Sequence, residues 1–192
     1  MTSINLKNRS QSTTEKEESF LISLGKDVLS VLAFLLLFML LSKMVFGLWT
    51  PMVAVESGSM EPHMQKGDII FIKNIERVEL ITNEEGQENS GPRSFGEYGH
   101  VILYKPYGQE GVTPIIHRAM YHVNAGEPMW ENGPAAPYSG YITKGDNPVT
   151  NNHFDQEGQI SYHTPIKDEW IIGVAKYRIP YLGHIRLLFS GD

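Results

Sequence analysis

Three stretches of the chain carry residue types that could together activate a hydroxyl. They are Ser57-Gly58-Ser59-Met60-Glu61-Pro62, Ile115-Ile116-His117-Arg118, and Thr143-Lys144-Gly145-Asp146-Asn147 running on to Asp155. Serine is a poor nucleophile at its ordinary pKa, so Ser59 matters only if a base takes its proton and an acid fixes that base's tautomer. His117 lies inside the apolar run Thr113–Met120, where a buried imidazole can accept a proton. Asp146 sits in a Gly-Asp-Asn turn and Asp155 in the loop beyond it. Residue type does not choose between them as the acid. Gly58 lets backbone approach a substrate carbonyl, and Pro62 stiffens the exit from the turn.

Each residue also has a plain structural reading. A serine in a glycine-flanked turn is more often structural than reactive, a histidine in an apolar run is more often a satisfied core residue, and Gly-Asp-Asn suits an Asx turn. The serine does not sit in G-x-S-x-G, so the strand-to-helix elbow of the α/β-hydrolases is not indicated. Among the other histidines, His63, His100, His153, His163 and His184 lie beside turns or at element ends, where solvation is the simple reading. His122 shares the run with His117, but the odd spacing places it on the opposite strand face unless a bulge intervenes. The histidines are scattered and no H-E-x-x-H occurs, so neither a metal nor a cofactor is expected.

The 192 residues suffice for one membrane anchor and one globular domain with a real core. Acidic residues outnumber basic ones 22 to 16, for a net charge of -6, and no Lys/Arg run could track a phosphate backbone. No nucleic-acid partner is expected. The absence of cysteine removes disulfides, thiolate zinc sites and cysteine nucleophiles together, so covalent chemistry must use oxygen or nitrogen.

These residues must be positioned by what surrounds them. From Val28 to Leu48 the only clearly polar side chains are Ser30, Ser42 and Lys43, and a helix of that length matches the roughly 30 Å of bilayer hydrocarbon. Lys43 lies near one end, where its stem can snorkel to the headgroups. A long polar lead and the lack of a small-x-small site in Trp49–Val55 favour a retained anchor over a cleaved signal. Lys7, Arg9, Lys16 and Lys26 precede the span, whereas no Lys or Arg lies between Lys43 and Lys66, which puts the N-terminus in the cytoplasm.

The expected organisation is therefore a disordered polar tail over 1–24, a transmembrane anchor over 25–49 and an extracytoplasmic β-rich domain over 50–192. Short apolar or β-branched runs alternate with Gly, Pro and Asn. They predict strands at Met52–Glu56, Asp68–Lys73, His100–Lys105, Val112–His122, Tyr138–Lys144 and Trp170–Arg178. Asn83–Gly99 and Asn124–Pro137 read as surface loops. The apolar cluster Ile179–Phe189 is too short for a second span and fits an edge strand or a bilayer-surface segment. The class is mainly β, with a single N-terminal membrane helix.

In this order, the anchor, Ser57–Pro62, Lys66-Gly67-Asp68, Ile116-His117-Arg118 and Thr143–Asn147 resemble type I signal peptidases over about 25–188. The bacterial branch has a lysine where this chain has His117. The archaeal and endoplasmic-reticulum branch has a histidine, as here. The resemblance implies a signal-peptidase-like β-sheet domain with Ser59 as nucleophile, His117 as general base, Asp155 as triad acid and Asp146 as a supporting residue. It also implies oxyanion donors at the Ser59 N–H and the Ser57 hydroxyl. Met60, Val53 and Val55 are expected to wall shallow pockets that admit small side chains before the cut.

The implied activity is removal of signal peptides from secreted preproteins at the cell membrane. Preprotein signal peptides and the lipid bilayer are the implied partners, and the resemblance admits the secretion translocon as another. The competing reading is a catalytically silent, membrane-tethered β domain serving as a binding module or complex subunit.

Overall fold

The computed structural model describes the backbone of residues 3–181 and the side chains of residues 20–181. The chain divides into two units, residues 1–45 and 46–192. The first is helix α1, Ser3–Phe46. Within it, Phe20–Phe46 is long and apolar enough to cross a membrane, and its Leu, Phe and Val side chains are exposed along the run. The helix begins at Ser3, not after the polar lead, so residues 3–24 are helical where disorder is expected. The helix of the apolar run continues back through this lead although Ser, Thr and Asn, all weak helix formers, are frequent in it.

The second unit is built on an antiparallel sheet of six strands. In chain order its elements are β1 (Met52–Ala54), β2 (Ile69–Asn74), helix α2 (Asn83–Glu88), the hairpin β3 (Arg93–Ser94) and β4 (Glu97–Tyr98), β5 (Val101–Tyr104), β6 (Ile115–Val123), β7 (Gly140–Lys144) and β8 (Ile171–Ile179). The sheet order is β1-β2-β8-β5-β6-β7, with β3 and β4 pairing separately. All six expected strands are present, most of them shorter at one or both ends than the apolar runs suggest.

Strand β5 explains where the core lies. Its four residues, Val-Ile-Leu-Tyr, are all buried, as expected of a strand covered on both faces. Val101 and Leu103 join Val55, Met60, Met64 and Ile70 in one apolar cluster, while Ile102 and Tyr104 join Ala119, Ile166, Ile171 and Val174 in another. Strand β6 pairs with β5 through Ile102↔His117 and Val101↔Arg118. A bulge between Ala119 and Tyr121 interrupts its pairing with β7 and breaks the simple alternation assumed for His122. That residue is exposed, with its ring edge-on to Tyr141.

Neither expected loop is irregular throughout. Residues 83–99 contain α2, started by a capping box in which Thr82 Oγ1 accepts from the Glu85 N–H and the Glu85 carboxylate accepts from the Thr82 N–H. They also contain the β3–β4 hairpin, whose two turn residues, Phe95 and Gly96, both have positive φ, as a type I′ turn requires. In residues 124–137, Met129 is fully buried against Val123, Ala136 and Ile142. The apolar cluster 179–189 lies mostly outside the described residues.

His100, at the start of β5, is 9% exposed. Its backbone N–H donates to the Ile81 carbonyl at 2.8 Å and its Nδ1 accepts the Ile81 N–H at 3.1 Å, which requires an unprotonated Nδ1. Burial, reinforced by the positive charges of Lys176 and Arg118, lowers its pKa from 6.5 to about 4. The native state therefore stays neutral while the unfolded chain takes up a proton below about pH 6.5. Stability from this residue is complete above that pH, falls on acidification and levels off below about pH 4, a loss on the order of 3 kcal/mol. Denaturant unfolding of the full chain in detergent should show this acid slope, and His100→Asn, which offers an oxygen in place of Nδ1 but no titration, should flatten it. An equal slope in wild type and variant would show that His100 is not the group responsible.

Candidate active site

Ser59 sits in the turn between β1 and β2. The Glu61 N–H closes on the Gly58 carbonyl at 3.1 Å, and the His63 and Met64 N–H groups bond to the Met60 carbonyl at 3.0 Å each. Met60 is fully buried beside Val55, Met64 and Ile70. It is not a pocket wall, as the sequence reading expects, but the apolar peg that fixes the turn to the core. The turn directs it inward, opposite to the use its position beside Ser59 suggests.

His117 comes from the middle of β6 and is 2% exposed. Its Nε2 lies 2.9 Å from Ser59 Oγ and its Nδ1 lies 2.7 Å from Asp155 Oδ2. A carboxylate only accepts, so Nδ1 carries the ring proton, Nε2 presents a lone pair and the Ser59 hydroxyl donates to it. Asp155 is 3% exposed and is placed by backbone and side chains of neighbouring strands. Its N–H donates to the Thr143 carbonyl at 2.9 Å, and its Oδ2 accepts from the Thr143 hydroxyl at 2.6 Å and the Tyr104 hydroxyl at 2.9 Å. Burial pushes its carboxyl pKa up. The hydrogen bond and charge of His117, together with the two hydroxyls, outweigh this and hold it below the ordinary aspartate value. Tyr104 titrates well above its usual range through burial and the nearby Asp155 charge, so its hydroxyl stays a donor.

Asp146 makes no hydrogen bond to His117. Its Oδ1 accepts from Arg118 Nε at 2.8 Å, and its Oδ2 accepts from Arg118 Nη2 and lies 2.8 Å from His63 Nδ1. The guanidinium, 2% exposed, uses Nη1 on the carbonyls of Gly99 at 2.7 Å and Ser94 at 3.0 Å. Adjacent residues of β6 thus each reach a different aspartate of the loop that follows β7. Residues whose part the sequence reading missed are Tyr104 and Thr143 on Asp155, and Asn147 on the serine turn. Thr143 and Asn147 lie in the stretch singled out for its aspartate. Tyr104 is indistinguishable from an ordinary strand residue.

A cavity of about 460 Å³ opens beside Ser59 and His117. Val53, Val55 and Ser57 line one side, with Ile115, Ile116 and Ile160 among the apolar residues elsewhere on its wall. Ser57 Oγ lies 3.1 Å from Ser59 Oγ. The arrangement can deprotonate a hydroxyl next to an apolar slot, the geometry needed for acyl transfer. Among the described residues no group of three or more His, Asp or Glu side chains could hold a metal ion.

The buried Arg118–Asp146 pair is a structural strut whose removal leaves a charge without its partner. Arg118→Met is expected to destabilise the domain by about 3–5 kcal/mol, and Arg118→Lys to recover only part of this, because an ammonium cannot replace the fork. Chemical unfolding of the full chain checks both, and a loss below about 1 kcal/mol for Arg118→Met would remove the strut.

No protein-family model matches the chain. Among curated proteins it is 29% identical over 189 residues to the signal peptidase complex catalytic subunit sec11 of Aspergillus terreus, covering 90% of this chain and 87% of that protein. It is 30% identical over 142 residues to the signal peptidase complex catalytic subunit SEC11 of Saccharomyces cerevisiae, covering 73% of this chain and 66% of that one. The protein of the same name from Sclerotinia sclerotiorum is 30% identical over 141 residues, covering 73% and 64%.

Proposed function

The chain is a distant homologue of the sec11-type catalytic subunits of the signal peptidase complex, and from that premise we propose that it is a membrane-tethered serine endopeptidase that removes signal peptides from preproteins. The observation that carries the reading is the line Ser59 Oγ, His117 Nε2, His117 Nδ1, Asp155 Oδ2, with both gaps at hydrogen-bond length and residues far apart in sequence.

In this mechanism Ser59 attacks the scissile carbonyl of a preprotein while His117 takes its proton, and Asp155 stabilises the imidazolium that forms. The tetrahedral oxyanion is met by the Ser59 N–H and by the Ser57 hydroxyl once it rotates from Ser59 Oγ. His117 then gives its proton to the departing amine, leaving the signal peptide esterified to Ser59. Water, activated by the same imidazole, hydrolyses the ester. Val53 and Val55 border the apolar slot in which small side chains before the cut are accommodated and larger ones excluded.

The span Phe20–Phe46 would hold the enzyme in the bilayer that carries the substrate's own apolar segment, raising their effective concentration. Basic residues before the span support a cytoplasmic N-terminus and an extracytoplasmic catalytic domain at the cell membrane. The relatives are named as subunits of a complex, which supports further protein partners, with the secretion translocon as the supplier of substrate.

Purified full-length protein in detergent should cleave a preprotein after a small residue. Ser59→Ala and His117→Ala should each abolish cleavage with the fold intact, and survival of activity in either would overturn the roles. Asp155→Asn should lower kcat by roughly 10³–10⁴-fold through the wrong imidazole tautomer, whereas Asp146→Asn should act mainly on stability. The reverse order would make Asp146 the acid. A wild-type protein that binds preproteins without cutting them would favour the silent-domain reading.

A further inference from the structure

Asn147 touches the nucleophile turn twice. Its backbone N–H donates to the Ser59 carbonyl at 2.9 Å, and its side-chain Nδ2 donates to the Gly58 carbonyl at 2.8 Å. The two turns are packed closely enough that a Cβ on Gly145 would lie 2.6 Å from the Ser59 carbonyl oxygen. A trans peptide is planar, with its carbonyl and N–H pointing opposite ways. The Gly58 carbonyl and the Ser59 N–H belong to one such plane, so a donor that fixes the first also aims the second. Among the described residues nothing accepts from the Ser59 N–H, while the Gly58 carbonyl has two donors, Glu61 N–H and Asn147 Nδ2.

We infer that Asn147 is a positioning residue for the oxyanion donor: its side-chain amide locks the Gly58–Ser59 peptide so that the Ser59 N–H faces the reacting carbonyl. The inference rests on the acyl-transfer reading of Ser59. Preorganised donors act in catalysis because they need no reorientation when charge develops. A hydrogen bond to the carbonyl of the same peptide also polarises its N–H and makes it a better donor. The position of Asn147 follows from that of its neighbour, since Asp146 is tied to Arg118, and Arg118 follows His117 on β6. Base and oxyanion donor are thereby referenced to the same strand.

The Asn147 side chain has a second job that a test must separate from the first. Its Oδ1 accepts the Val149 N–H at 2.9 Å and the Thr150 N–H at 3.4 Å, capping its own turn. Asn147→Ser retains a hydroxyl that can cap an i+2 N–H but is too short to reach Gly58. Asn147→Ala retains neither function. Neither variant introduces a charge.

The experiment uses both variants of the full chain in detergent. It measures kcat and KM on a preprotein, and the rate at which a small alkyl fluorophosphonate labels Ser59, whose phosphoryl oxygen needs the same donor. Both variants are expected to lose roughly 10- to 100-fold in kcat and in labelling rate, with KM within a factor of about two. Recovery of wild-type rates by Asn147→Ser would show that only the cap matters and overturn the inference. So would unchanged rates in both variants, or a loss confined to KM. If wild type is labelled at Ser59 but cuts no preprotein, the proposed substrate fails while the labelling rates still decide the role of Asn147. If wild type is neither labelled nor active, both fall.

Discussion

The site depends on a carboxylate that the fold has taken out of water. Asp155 is almost fully buried, and an unpaired charge there would be prohibitive. Its solvation is replaced by three donors converging on one oxygen: His117 Nδ1, the Thr143 hydroxyl and the Tyr104 hydroxyl. These come from β6, β7 and β5, so the carboxylate can be satisfied only when those three strands are in register. The same satisfaction fixes the imidazole tautomer and hence the direction in which Nε2 can accept a proton. Under the proposed reading, stability and reactivity are coupled here through one atom.

The neighbouring residue repeats the logic with a different outcome. Arg118 is as buried as His117, and its charge is met by Asp146 and by carbonyls of the segment 94–99. Under the proposed reading, one strand presents a base to one aspartate and a permanent cation to another. The first pair works on a substrate, and the second ties the β3–β4 region to the turn carrying Asn147. This explains why two aspartates so close in sequence are not interchangeable: each answers a different buried group on β6.

Much of this was legible in the residues, for identifiable reasons. Strands β2, β5, β6 and β8 are rich in Ile, Val, Phe and Tyr, and their period and length announce them. Ser59 and His117 could be named as candidates from residue type and order, although each has a commoner structural use in such a setting, and only the family resemblance set Asp155 ahead of Asp146. Convergence could not be read, since it depends on pairing across 58 and 38 residues. Met60 was misread because adjacency to Ser59 suggested the cavity, whereas the turn points it to the core. Tyr104 carried no signal, because a tyrosine in an apolar strand serves packing equally well. Helix α2 was signalled by Thr82-x-x-Glu85, but only six residues follow the cap, and Gly, Glu and Ser dominate the segment.

The excursion between Asp146 and Asp155 is tolerated because neither end of the intervening loop is free. Asn147 holds the first end through the Asn151 N–H and its own Oδ1 cap, and Asp155 is returned to β7 by its bond to the Thr143 carbonyl. Between them, Lys144 Nζ donates to the Asn152 carbonyl at 3.1 Å, drawing the excursion back over the strand it left. Extra length in a closed loop costs little chain entropy, with the penalty growing only as the logarithm of the loop. What cannot vary is the spacing of the anchors on β7. Residues 148–154 can therefore lengthen without moving either carboxylate, provided that Thr143 and Asn147 keep their bonds.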